Sequence, residues 1–465
     1  MRIAALLALA LVSGCVSFSP DGGFGKVERE VAERGGGDAK WLRSADEANS
    51  VDARVTELLA QALSAEDAVR IALLNNPGLQ ARYAELGIAE ADLVQASRWS
   101  GPKLGFARLT RGDEIEREAS VFFDVLGLIS IPLSTRAQGK RFEAAQHRAA
   151  EETLRLALET RKAWFGAVAA QQTARYMQDV KLAAEAGADL ARRMTEIGNW
   201  PRLTRDREQA FYAEATAQLA RARQAHTGAR EQLTRLMGLW GGRTGYALPE
   251  RLPDLPQAAR VEGDLEAQAL RQRLDVQAAR REAEGLADSL GLTRVTRYVD
   301  LLEVGALRKT ETGQPVQRGW ELELRIPIFD FGSARAARAE HLYLQAVNRA
   351  ADTAVRARSE VREAYGAYRT AFDLAGHYRD EIVPLRKRIS EQMLLRYNGM
   401  LSSVFELLAD ARDSVASVNA YLEAQRDFWL ADADLQMALT TGSPGAMAAA
   451  VPALAPAGGA AAAAH

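Results

Sequence analysis

Two stretches of this chain, about 135–198 and 333–398, read as single helices of 64 and 66 residues. At ~1.5 Å of rise per residue each is roughly 100 Å long, and no ordinary globular core needs such a helix. A tight turn follows each one, Gly198-Asn199-Trp200-Pro201 in the first case and Asn398-Gly399-Met400 in the second. A shorter helix then runs back. Together with the helix that opens each block, it matches the long helix in length, which is the proportion of a long cylinder wall rather than of a compact bundle.

The chain is therefore duplicated. Repeat 1 covers 64–240 and repeat 2 covers 263–441, joined by a Gly/Pro-punctuated linker, 241–262. Each repeat opens with a helix, at 64–98 and 263–290. Each continues with a strand pair, 103–133 and 297–328, that ends in a proline motif. Ile131-Pro132-Leu133 is answered 195 residues later by Ile326-Pro327-Ile328, so Pro132 and Pro327 are expected at the strand-to-helix junctions. Residues 15–63 read as a tether with a partly ordered flank, and 442–465, rich in Ala, Gly and Pro, as a disordered tail.

Periodicity supports long helical seams. Val404, Leu408, Ala411, Val415, Val418, Leu422, Gln425 and Trp429 step alternately by four and three, the spacing of a coiled coil. Val347, Ala351, Ala354, Arg358, Val361, Tyr365, Tyr368 and Phe372 do the same in the long helix. Such seams fit a rod as well as a tube.

The strands favour a membrane. In Trp320-Glu321-Leu322-Glu323-Leu324-Arg325-Ile326 apolar and charged side chains alternate strictly, as in a transmembrane barrel strand. The segment in repeat 1 has Val121, Phe123, Val125, Ile129 and Ile131 on one face, but its other face (Phe122, Asp124, Leu126, Leu128) is more apolar than a lumen requires. Four strands cannot close a barrel, and open sheet edges are not tolerated in hydrocarbon. The chain must then oligomerise, with two copies giving eight strands and three giving twelve.

Composition removes other classes. The 59 Lys+Arg nearly cancel the 61 Asp+Glu, so no nucleic-acid partner is expected. A mean hydropathy of −0.20 excludes a polytopic helical membrane protein. Five scattered His and one Cys offer no metal site, no cofactor is expected, and no nucleophile elbow, phosphate loop or zinc-helix motif occurs. The sole cysteine is instead placed to carry lipid. Arg2, the apolar run Ile3 to Leu11, and Val12-Ser13-Gly14-Cys15 make 1–14 a signal peptide whose end resembles the lipobox of bacterial lipoproteins, with Cys15 as the acylated residue. Val16 in place of Asp favours the outer membrane.

Lipobox, duplication, Ile-Pro motifs and Arg396-Tyr397-Asn398-Gly399 before a heptad helix together resemble the TolC-type outer-membrane efflux family, over nearly all of 64–441. The resemblance implies a mainly α fold with a small transmembrane β part: a duplicated long-helix coiled-coil α-barrel below a homotrimeric twelve-stranded β-barrel, four strands per chain. It implies no enzyme but a passive exit duct in the outer membrane, extending into the periplasm, for a tripartite efflux pump or type I secretion system. The partners are then a periplasmic adaptor (membrane fusion protein), an inner-membrane pump and outer-membrane lipid. Gly198 and Gly399 match the tip glycines, and Arg396 and Tyr397 the aromatic-basic pair before the second tip. Leu407 and Ala411 match the pattern after it. Gly198, Asn199, Trp200, Pro201, Arg396, Tyr397, Asn398 and Gly399 are the expected adaptor contacts, and Arg193, Glu196, Arg388 and Glu391 the candidate gate. The sequence departs from the family pattern at Met194-Thr195, at Trp200-Pro201, and in having one residue rather than two between Tyr397 and Gly399. The alternative is a periplasmic coiled-coil structural lipoprotein without a pore, which explains the anchor and heptads but neither the strands nor the duplication.

Overall fold

The computed structural model describes residues 17–260 and 263–442. Its elements run α1 (Phe24–Glu33), α2 (Ala45–Leu58), α3 (Ala65–Asn75), α4 (Pro77–Ala96), β1 (Lys103–Arg111), β2 (Glu114–Asp124), α5 (Val125–Glu196) and α6 (Arg202–Leu236). Then follow α7 (Leu265–Gln272), α8 (Leu274–Thr296), β3 (Leu301–Glu311), β4 (Gln317–Arg325), α9 (Ser333–His377), a π-helical turn (Tyr378–Ile382), α10 (Val383–Asn398) and α11 (Val404–Thr440). The order helix pair, hairpin, long helix, turn, helix thus occurs twice. Cys15, the expected signal peptide and the tail beyond 442 lie outside the described residues.

Several boundaries differ from the sequence expectation. The opening helices are each broken in two. In repeat 1, Pro77 supplies no N–H, Asn76 before it is extended (φ −73°, ψ 116°), and the Asn76 side chain accepts from the Leu79 N–H at 3.1 Å, so a new helix is capped where the old one stops. Asn76 also donates to Leu236 O, and Asn75 to Met237 O and Gly238 O, satisfying the last carbonyls of α6. In repeat 2 the break falls at Arg273 (φ −65°, ψ 126°) with no proline. Its guanidinium is 1% exposed, paired with Asp275 at 2.7 Å and Glu360 at 2.6 Å. It donates to Ala438 O at the end of α11 as well. Beyond this break α8 runs to Thr296, six residues past the expected end.

The first long helix begins at Val125, not 135, and holds 72 residues, or about 110 Å. Asp124 caps it by accepting from the Gly127 N–H at 2.7 Å. Pro132 therefore lies inside the helix, and Val125, Leu126, Leu128, Ile129 and Ile131 are helical rather than strand residues. That removes the excess of apolar residues on the supposed lumen face of β2. The second long helix is helical from 333 to 398, with the π turn placed just before Pro384, where the absent N–H breaks the regular ladder.

Residues 17–63, expected as a tether with a partly ordered flank, carry helices that pack into the core. Val27, Val31, Val55 and Leu63 are fully buried, and full burial of such side chains is worth about 1.5–3 kcal/mol each. The Ser19 N–H donates to Glu90 at 2.7 Å, and Glu90 is itself buried. The inter-repeat linker is likewise a strap. Leu63 N–H donates to Ala247 O, Gln171 to Pro249 O, Gln425 to Pro253 O, and Arg260 N–H to the Tyr368 hydroxyl. It crosses from α6 over α5 to α11 and α9, and its Tyr246, Leu248 and Leu252 enter the core around Trp164 and Phe165. Along α9 the seam survives in part: Val361, Tyr368 and Ala375 are buried at heptad spacing, whereas Ala351 and Arg358 are exposed.

Candidate functional site

The four strands form one antiparallel sheet in the order β1-β2-β3-β4, leaving β1 and β4 as edges. Register sorts its side chains. Leu104, Val121, Ala306 and Trp320 stand in one row across the sheet, and Phe123, Val304 and Leu322 in the next. Phe106, paired with Ala119, lies on the same face, and the largest side chains there are exposed: Phe106 81%, Trp320 78%, Leu104 59%. The opposite face carries Lys103 paired with Glu303 at 2.9 Å and Lys309 with Glu116 at 2.6 Å. One face is thus apolar and facing solvent in the single chain, the other ionic. Among the described residues no helix is long and apolar enough to cross a membrane.

The two strand-to-helix passages differ. In repeat 2, Pro327 lies in the turn between β4 and α9, where the Phe331 N–H donates to its carbonyl at 2.7 Å. In repeat 1 the passage is Asp124, and Pro132 stands eight residues beyond it.

At the far end of the long helices the turns are built alike. Asn199 N–H donates to Met194 O and Leu401 N–H to Arg396 O, the six-to-one bond of a Schellman ending. Gly198 takes the left-handed position in the first (φ +81°). In the second that position belongs to Met400 (φ +57°), while Gly399 has φ −81°. Gly399, matched to the tip glycines, is thus not the left-handed residue of its turn: the single residue between Tyr397 and Gly399 puts the glycine one place early. The turns also touch each other, Trp200 against Phe405 with ring centroids 5.6 Å apart. Pro201 precedes α6, and Asn199, Arg396, Tyr397 and Asn398 are exposed.

Arg193, Glu196, Arg388 and Glu391 are all exposed in the single chain, and Arg193 pairs with Asp189 on its own helix at 2.8 Å. The structure does not bring these four together. It does bring together groups that sequence reasoning missed. Glu208 of α6, 4% exposed, pairs with Arg412 of α11 at 2.5 Å, and that guanidinium lies over the Phe211 ring. Asp410, 8% exposed, accepts from the Ser390 hydroxyl at 2.6 Å. Glu208 and Asp410 each stand ten residues after the left-handed residue of their turn, Gly198 and Met400. Aligning the repeats on that residue is the signal that would have found them.

No family model matches the sequence, and no curated protein matches it. Solved structures do match. The Campylobacter jejuni CmeC outer membrane channel superposes with a TM-score of 0.69 at 15% identity, over 87% of this chain and 89% of that one. The outer membrane protein VceC of Vibrio cholerae gives 0.68 at 15%, over 84% and 97%. The open state of the Neisseria gonorrhoeae MtrE outer membrane channel gives 0.66 at 18%, over 84% and 89%. The hairpins, the paired long helices and their turns are thus those of the TolC-type outer-membrane channel fold.

Proposed function

We propose that three copies of this chain form a passive exit duct across the outer membrane and periplasm, for a tripartite efflux pump or a type I secretion system. The observation that carries this reading is the open sheet, apolar on one face and ionic on the other. Its unpaired edges cannot remain in hydrocarbon. Joining β1 of one copy to β4 of the next, three times over, closes a twelve-stranded barrel with the ionic face on a watery lumen and the apolar face on lipid. The long helices, about 100–110 Å in reach, then continue the lumen through the periplasm. The resemblance in fold to proteins described as outer membrane channels supports the same reading.

In this scheme Cys15 carries the lipid anchor, and the turns at 198–201 and 396–399 meet a periplasmic adaptor that links the duct to an inner-membrane pump. The pump supplies the energy. Arg193, Glu196, Arg388 and Glu391 line the closing end, and charge reversal at Arg388 or Glu391 raises leak conductance; a reversal series without effect discards the assignment. The central test is the native mass of the mature protein extracted from membranes in detergent, with conductance in a planar bilayer. A conducting trimer is expected. A soluble, non-conducting monomer after delipidation overturns the duct and leaves the coiled-coil spacer lipoprotein.

A further inference from the structure

The two faces of the sheet also differ in charge. On the ionic face, register places eight carboxylates and four basic side chains. On the apolar face there is no carboxylate at all, yet there are four arginines. Arg308 and Arg318 are direct cross-strand partners, in the row of Phe106 and Ala119. Arg108 and Arg117 are direct partners in the next row toward the hairpin ends. All four are exposed, and none is in an ion pair among the described residues. Like charges directly opposite are destabilising in a sheet, so two such pairs side by side need a counter-charge that the protomer does not supply.

Their height is informative. Below them the apolar face runs through the rows of Trp320, Val304 and Leu324. It then continues past the strands into Ile326, Ile328, Phe329 and Ile129, of which Phe329 is 99% exposed. The lipid-facing zone is thus displaced toward the helices, and the arginines sit at its upper border. A basic side chain on the lipid face is costly at mid-bilayer and nearly free at the interface. In the barrel reading, that border meets the outer headgroup layer.

We infer that Arg108, Arg117, Arg308 and Arg318 form a girdle that binds phosphate groups on the headgroups of outer-leaflet lipids. This rests on the barrel reading above. Closure brings Arg108 on β1 of one copy toward Arg318 on β4 of the next, so the girdle is continuous around the trimer. Guanidinium matches phosphate through paired N–H donors, and each bound phosphate neutralises an Arg–Arg repulsion.

The test uses the full-length protein inserted into phosphatidylcholine vesicles. These are doped with a bis-phosphorylated glucosamine disaccharide lipid, or with the same lipid after phosphatase treatment. Insertion is scored by protease-resistant trimer and by conductance, and binding by doped lipid retained per trimer after gel filtration in detergent. The wild type is expected to retain the phosphorylated form about tenfold better than the stripped form. The R108Q/R117Q/R308Q/R318Q variant loses that preference, four lysines at the same positions keep part of it, and R325Q on the ionic face leaves it unchanged. Where the four-glutamine variant does not assemble, R108Q/R117Q and R308Q/R318Q are read separately. Inserted, conducting trimers with equal retention in wild type and variants overturn the girdle and leave the duct standing. Displacement of the lipid by inorganic phosphate marks a free-anion site and overturns the lipid assignment. Failure of the wild type to insert overturns both.

Discussion

The two repeats solve the same mechanical problem with different chemistry. At each kink between the opening helices, a side chain must satisfy the final carbonyls of the helix that returns from the far turn. Repeat 1 uses the neutral amides of Asn75 and Asn76 beside Pro77. Repeat 2 uses the buried cation of Arg273, held by Asp275 and Glu360. Backbone geometry is shared, but only the second solution carries charge into the interior. Loss of one partner at the second kink therefore strands a buried charge, whereas at the first it leaves only neutral groups unpaired. A parallel contrast holds at the turns, where Gly198 and Met400 occupy the same left-handed position.

The largest expected effect comes from removing the buried cation. Arg273→Met keeps the bulk and strands Asp275 and Glu360 without their partner, so unfolding of the full chain in urea is expected to show a loss of about 3–5 kcal/mol. A loss under about 1 kcal/mol would mean that the kink is held by packing alone. Asn76→Ala in repeat 1 removes one cap and one bond to Leu236 O, and is expected to cost about 2 kcal/mol. Equal losses at the two kinks would erase the distinction between them.

Protonation sharpens it. Glu151 on α5 is pushed up to about 8, first by burial and then by the negative charge of Asp275. Its unfolded carboxyl titrates near 4.3, so between the two values the folded state holds the extra proton. Its contribution is therefore fully present below the unfolded value and is lost as pH rises through about 8. We expect the wild type to lose about 1–2 kcal/mol between about pH 6 and pH 8 on this account, and Glu151→Gln to flatten that slope. An unchanged slope in the variant would place the titration elsewhere. The smallest effects are at the turns. Met400→Gly is expected to gain about 1 kcal/mol and Gly198→Ala to lose about as much, read from the melting temperature. Opposite signs confirm that both positions are left-handed; the same sign refutes it.

Much of this fold was legible because it rests on periodicity. Strict alternation at Trp320 to Arg325 put Trp320, Leu322 and Leu324 on one face, and the register agrees. Length alone announced the two long helices. What escaped were features decided by single capping groups. Asp124 starts α5 in the middle of an apolar run, where alternation and helix cannot be told apart by hydrophobicity, so Pro132 was misplaced at the junction. Arg273 breaks a helix with no proline or glycine to mark it. Gly399 looked like the reversal residue because glycine favours it, but the hydrogen bonds of the turn select Met400. Glu208 and Arg412, 204 residues apart, carry no local signature at all.

The Ser19–Glu90 contact has a metrical consequence. Ser19 is fixed to the upper part of α4, six residues before that helix ends near the sheet. Three residues lie between it and Cys15, and the four steps of a fully extended chain cover roughly 14 Å. In the proposed duct, acyl chains on Cys15 would therefore be held within that reach of α4 of their own subunit. In the proposed duct, an anchor on so short a leash would act as a depth gauge, setting how far the protein could rise or sink in the membrane. Lengthening the leash by inserting residues between Cys15 and Ser19 would free that coordinate without touching any wall of the duct.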